Sequence, residues 1–89
     1  MIFSKSMYWG EHAEGRRHYI LENLRERRLQ IGAYVIIAGR NGNLYEIHPA
    51  ASLCNPALDS SDWEILGIGY GYRDTLRLLK RMVEERFQR

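Results

Sequence analysis

Eighty-nine residues, 45% of them apolar and 27% charged, with a net charge of +2, describe one folded domain rather than a disordered chain. A chain this short buries only about 60–65% of the surface its unfolded form exposes, so its core is thin, and a single cysteine, Cys54, excludes an internal disulfide. No apolar run approaches the roughly 20 residues of a membrane span, the opening Met1-Ile2-Phe3-Ser4-Lys5 lacks the pattern of a secretory signal, and a lone thiol suits a reducing compartment; the expected location is cytoplasmic.

Residues 1–9 carry Ile2, Phe3, Met7, Tyr8 and Trp9, which reads as a short strand or as an arm that docks on the body or on a partner. From Glu11 to Gln30 the spacing is helical. Ala13, Ile20, Leu24 and Ile31 fall on one side at 100° per residue, with Leu21 at the margin. Gly15 weakens the first turn, moving the ordered start towards Arg16, and Gly32 stands where a C-terminal cap belongs.

Residues 34–47 read as two β-type runs around Asn41-Gly42, the pair that a tight type I′ turn favours because both central residues need positive φ. That turn sets Ala38 opposite Tyr45 and Ile36 opposite Ile47, giving an apolar face expected to meet the core. Val35, Ile37, Leu44, Glu46 and His48 fall on the other face, which is more apolar than a solvated face should be. Residues 49–62, with Pro49 and Pro56, read as a long loop shortened by a helical turn near 49–53.

Trp63 to Tyr72 reads as a third strand. With period two, Gly67, Gly69 and Gly71 share one face and Leu66, Ile68, Tyr70 and Tyr72 the other. A face without side chains admits another backbone, so a helix is expected to pack closely there. The last helix runs from Arg73 or Asp74 to Gln88. Its expected core stripe is Leu76, Leu79, Val83 and Phe87, widened by Leu78 and Met82. The fold class is therefore α+β: a three- or four-stranded antiparallel sheet around the Asn-Gly hairpin, with an N-terminal and a C-terminal helix packed on it.

The basic residues are unevenly placed. Eleven of thirteen are arginine; residues 1–31 and 64–89 each hold six bases against four acids, whereas 32–63 hold Arg40 against Glu46, Asp59 and Asp62. Arg73, Arg77 and Arg81 recur every four residues beside Lys80, a row able to track phosphates, with Tyr70 and Tyr72 preceding it as stacking candidates. The glycines do not fit a dinucleotide fingerprint: G-x-G-x-x-G ends on Tyr72 from Gly67 and on Asp74 from Gly69, and no phosphate-loop motif exists. No paired-histidine metal motif, carboxylate pair or nucleophile–base order stands out, and the sequence implies no metal and no cofactor. The expected function is that of a non-catalytic protein-interaction or adaptor module, whose partner is another protein or a second copy. Tyr8, Trp9, Val35, Ile37 and Leu44 are its expected interface residues. The alternative is a nucleic-acid-binding regulator using Tyr70, Tyr72, Arg73, Arg77, Lys80 and Arg81.

Overall fold

The computed structural model describes residues 1–88. Strand β1 covers Ile2–Trp9, helix α1 Arg17–Arg25 behind a 3-10 turn at Glu14–Arg16, β2 Ala33–Ala38 and β3 Tyr45–Pro49. A 3-10 segment Ala50–Cys54, strand β4 Glu64–Tyr70 and helix α2 Tyr72–Arg86 complete the described chain. The four strands form one sheet in the order β1-β4-β2-β3.

The class is α+β, but the sheet is mixed rather than antiparallel. β2 is antiparallel to both β3 and β4, whereas β1 runs parallel to β4. Alternation of apolar residues fixes which face a side chain takes and is silent on strand direction, so the parallel pair left no trace in the pattern. β4 lies in the interior of the sheet, between β1 and β2, and β3 forms an edge. On β2 and β3, Ile36 stands opposite Ile47 and Ala38 opposite Tyr45. Between them Asn41 and Gly42 have φ of 54° and 86°, and the Asn43 N–H donates to the Arg40 carbonyl over 3.1 Å.

The helices cover opposite faces. α1 lies on the face that bears Val35, Ile37, Ile65 and Ile68, and there Ala13, Ile20, Leu24, Leu53 and Trp63 complete the larger cluster. Each of these is all but fully buried. The expected order of the two faces is thus reversed: the Val35–Ile37 side holds the main core, because α1 and the 49–62 connection close over it. α1 is shorter than its sequence pattern. Arg27 takes a left-handed φ of 53°, its N–H donates to the Leu24 carbonyl, and the Arg28 N–H reaches back to the Asn23 carbonyl over 2.9 Å. This is a Schellman-type stop, here without glycine, and it strands Leu29 and Ile31 at 69% and 77% exposure. Gly32 serves another purpose, with φ of 104° at the entry to β2 and the Tyr70 ring against it.

α2 covers the opposite face, over β4 and the adjoining parts of β1 and β2. The glycines of β4 let it approach: a Cβ on Gly69 would stand 2.7 Å from the Thr75 Cα, and Gly67 meets Met82 and Leu78. The face assignment shifts once within β4. Ile36 pairs with Gly67 and Ile37 with Ile65, so Leu66 is an extra residue that a bulge turns towards α2. α2 is also rolled relative to expectation. It buries Asp74, Thr75, Leu78 and Met82, and leaves Leu76 and Phe87 at 43% and 69% exposure. Tyr72 is the first residue of this helix, not the end of a strand, because Gly71 turns the chain with φ of 86°.

Candidate interaction surface

α2 presents four strips along its length. One is buried against the sheet. A second faces β1, where the Tyr8 hydroxyl donates to Glu85 over 3.1 Å and Arg81 donates to the Trp9 carbonyl over 3.0 Å. The neighbouring carboxylate holds the Tyr8 phenol above its ordinary pKa, through that hydrogen bond first and burial second. The third strip faces solvent and carries Arg73, Arg77, Lys80 and Glu84. The fourth, made of Tyr72, Leu76, Leu79, Val83 and Phe87, lies on the side of Tyr34 and Tyr45, which Tyr72 and the neighbouring Arg86 touch.

The β3 side of the sheet supplies the floor next to this fourth strip. Tyr34 meets Tyr72 edge-on with ring centroids 5.5 Å apart, Arg86 lies over the Tyr45 ring, and Leu79, Tyr45 and Ile47 all pack against the cluster of Ile36, Leu78 and Met82. Neighbouring strands lie about 4.8 Å apart and a helix is about 10 Å wide, so one helix roofs about half of a four-stranded sheet. The part left open on the α2 side is over β3 and the adjoining edge of β2. Tyr34, Ala38, Tyr45 and Ile47 are half-buried there, whereas Ile36 is fully buried under α2, and the α2 flank beside them is apolar, with Tyr72, Leu76 and Phe87 exposed. The sheet edges, by contrast, are blunted. Pairing in β1 is interrupted between Phe3 and Tyr8 around exposed Lys5, and β3 ends on Pro49.

The expected interface residues are dispersed by the fold. Val35 and Ile37 lie inside the main core and Trp9 is buried at 7% exposure beneath Arg17. Tyr8 is half-buried on Glu85, and Leu44, at 38% exposure, sits beside the turn before β3. The phosphate-tracking set is only partly gathered. Arg73, Arg77, Lys80 and Arg81 do share α2, and Arg77 and Arg81 line a cleft of about 190 Å³ with Gly10, Glu11, Asp74 and Leu78. Arg73, Arg77 and Lys80 have no ion-pair partner among the described residues. The two tyrosines separate: Tyr70 lies on the α1 side under Arg16, whose guanidinium is 4.5 Å from the ring centre, while Tyr72 joins Tyr34 on the other side.

A polar cluster at the edge escaped the sequence reading. Glu46 accepts from Arg40 over 2.8 Å and lies 3.1 Å from the His48 Nε2, and both partners rest on Trp63, with the His48 ring 4.5 Å and the Arg40 guanidinium 5.2 Å from it. These hydrogen bonds hold the Glu46 carboxyl at about 2, below its usual value of 4.5. A carboxylate depressed in the folded state contributes stability above its unfolded value, and that contribution is lost as pH falls towards the folded one. The acid limb of wild-type stability between about pH 4.5 and 2 is therefore expected to flatten in Glu46→Gln, as read by urea midpoints across that window. Parallel acid limbs would remove the cluster from the stability of the fold.

Among the described residues no group of three His, Cys, Asp or Glu side chains is placed to hold a metal ion. The Cys54 thiol is half-buried and donates to the Arg27 carbonyl over 3.3 Å. No helix is long and apolar enough to cross a membrane among the described residues. No protein-family model matches the chain, and no curated protein or solved structure matches it at a significant level.

Proposed function

We propose that this domain is a non-catalytic protein-interaction module and that it binds through the α2 flank and the neighbouring half-open sheet face. The observation that carries the reading is the width of the apolar band on α2. Its buried strip is Thr75, Leu78 and Met82, and the band continues through half-buried Leu79 and Val83 to exposed Tyr72, Leu76 and Phe87. Contiguous apolar surface of this kind, bordered by charge, marks contact sites in folded proteins.

The direct test is position-specific photocrosslinking in cells. A photoreactive phenylalanine analogue at position 76 or 87 is expected to give covalent protein adducts, and the same group at Tyr19, which is 60% exposed on α1, is not. No protein adduct at either α2 position would overturn the reading. Leu76→Asp is the matching loss variant. At 43% exposure the substitution leaves the core intact, so its thermal midpoint is expected within a few degrees of wild type while the adducts at position 87 disappear.

A second reading, nucleic-acid binding along Arg73, Arg77, Lys80 and Arg81, draws support from the lack of ion-pair partners for Arg73, Arg77 and Lys80 among the described residues. It predicts binding to mixed single- and double-stranded DNA and RNA that falls steeply with salt, survives near-physiological salt and is lost in Arg77→Glu. Anisotropy that is salt-independent, or indifferent to Arg77, would dismiss it.

A further inference from the structure

The apolar flank of α2, exposed at Tyr72 and Leu76 and half-buried at Leu79 and Val83, has the period of a helix–helix seam. Tyr72, Leu76, Leu79 and Val83 follow one another at spacings of four, three and four. This is the alternation with which one helix meets another along knobs-into-holes packing. The two borders of that seam differ. On the sheet side stand Thr75 and Met82, buried at 0% and 2% exposure. On the solvent side stand Arg73 and Lys80, both exposed and without an ion-pair partner among the described residues. Of the two borders an incoming helix can therefore reach only the basic one, and over β3 it would also meet Arg86, which lies over the Tyr45 ring.

This asymmetry decides between occupants. Were the occupant a second copy of α2, a parallel arrangement would set the basic border of one helix against the sheet-side border of the other, where Thr75 and Met82 are covered by their own sheet. An antiparallel arrangement would set Arg73 and Lys80 against the same two residues of the copy. Like charges at these flanking positions discourage a pairing, and opposite charges select it. Resting on the interaction-module reading above, we infer that the surface takes an amphipathic helix from a different protein. Its apolar stripe would fill the space over β3 beside the α2 flank, and its acidic residues would face Arg73 and Lys80.

The test uses the full chain and two fluorescent helical peptides. Both carry leucines at alternating spacings of four and three and alanine or glutamine elsewhere. One has glutamates along both borders of the stripe, and its twin has lysines. The glutamate peptide is expected to bind about tenfold more tightly than its twin, as two ion pairs gained against two repulsions imply. The Arg73→Glu/Lys80→Glu variant is expected to reverse that preference, and Leu76→Asp to abolish binding of both peptides. Equal binding of the two peptides would overturn the acidic partner and leave the apolar docking surface standing. Binding of neither peptide, with adducts still formed at position 76, would overturn the helical occupant but not the module. Concentration-dependent dimerisation of the wild-type chain, lost in Leu76→Asp, would make a second copy the occupant. Binding to an RNA oligonucleotide that Leu76→Asp leaves intact and the charge reversal abolishes would replace a protein partner with nucleic acid.

Discussion

Replacing Gly69 by alanine is expected to destabilise the domain by about 3 kcal/mol, at the upper end of the cost of forcing extra volume into a packed core. The added methyl would stand 2.7 Å from the Thr75 Cα and 2.9 Å from its Cβ, and would overlap the Thr75 hydroxyl. The obstruction is helix backbone, so no side-chain rotation relieves it. The Thr75 hydroxyl is itself committed, donating to the Gly71 carbonyl over 2.9 Å. α2 must therefore lift from the sheet, which opens the contacts of Leu78 and Met82 with Ile36. In a domain of this size each kcal/mol moves the thermal midpoint by about 4–8 °C, so a fall of more than about 10 °C is the expected reading. Gly15→Ala is the internal control. Nothing lies within 4 Å of the Cβ it would add and no positive φ is required there, so relief of unfolded-state entropy predicts a midpoint equal to wild type or higher. A small loss at Gly69 would mean that α2 does not sit against the β4 backbone.

Asp74→Ala is expected to cost a similar amount for a different reason. The Asp74 side chain is buried at 4% exposure. Its two carboxylate oxygens accept from the His12 N–H over 3.3 Å and from the Tyr70 N–H over 3.0 Å. It thereby ties the turn after β1 to the end of β4, within the first turn of α2, where a negative charge is favoured. Alanine leaves two part-buried donors without an acceptor, each costing about 1–3 kcal/mol. Asn keeps the shape but offers one accepting oxygen in place of two, so Asp74→Asn should lose about half as much. Chemical denaturation of the three proteins checks the order. Asp74→Asn as unstable as Asp74→Ala would assign the effect to charge at the helix start rather than to the two hydrogen bonds.

The sequence pattern shows which residues share a face and is silent on which face the main core takes and on how the elements meet. Ala13, Ile20 and Leu24 were spaced for burial and are buried, because a helix lying on a sheet must turn its apolar side inward. The glycines at 67 and 69 foretold a close helix, since lack of a side chain is visible in the letters themselves. The parallel pairing of β1 with β4 joins residues far apart in sequence, and nothing local encodes it. The bulge at Leu66 broke the period of two, so that residue moved to the other face from Ile68.

The candidate surface was hidden by a reasonable assumption. Leu76, Leu79, Val83 and Phe87 read as core in the sequence because an apolar stripe is expected to face inward. The narrow glycine track lets α2 sink until Thr75, Leu78 and Met82 are its contact line, and the longer stripe is carried to the side. Likewise Val35 and Ile37 looked like an interface only because the cover supplied by α1 and Trp63 lies elsewhere in sequence. Alternation already sets Glu46 and His48 on one face, but the closure of Arg40 on Glu46 and the seating of both partners on Trp63 depend on the turn and on the placement of a residue distant in sequence.

The strand order also governs how the chain can be made. Ile2 pairs with Glu64 and Trp9 with Ile68, while β4 fills the gap between β1 and β2. During synthesis, β1 emerges first and has no neighbour until β4 emerges. Until then only β2 and β3 can pair with one another, and a lone two-stranded ribbon is marginal in water. Closing so long a loop precedes most of the contacts that reward it, which slows folding. The waiting apolar strand is a hazard for intermolecular pairing, and Lys5, exposed in the middle of β1, is the kind of gatekeeping charge that keeps such a strand apart from its neighbours on the ribosome.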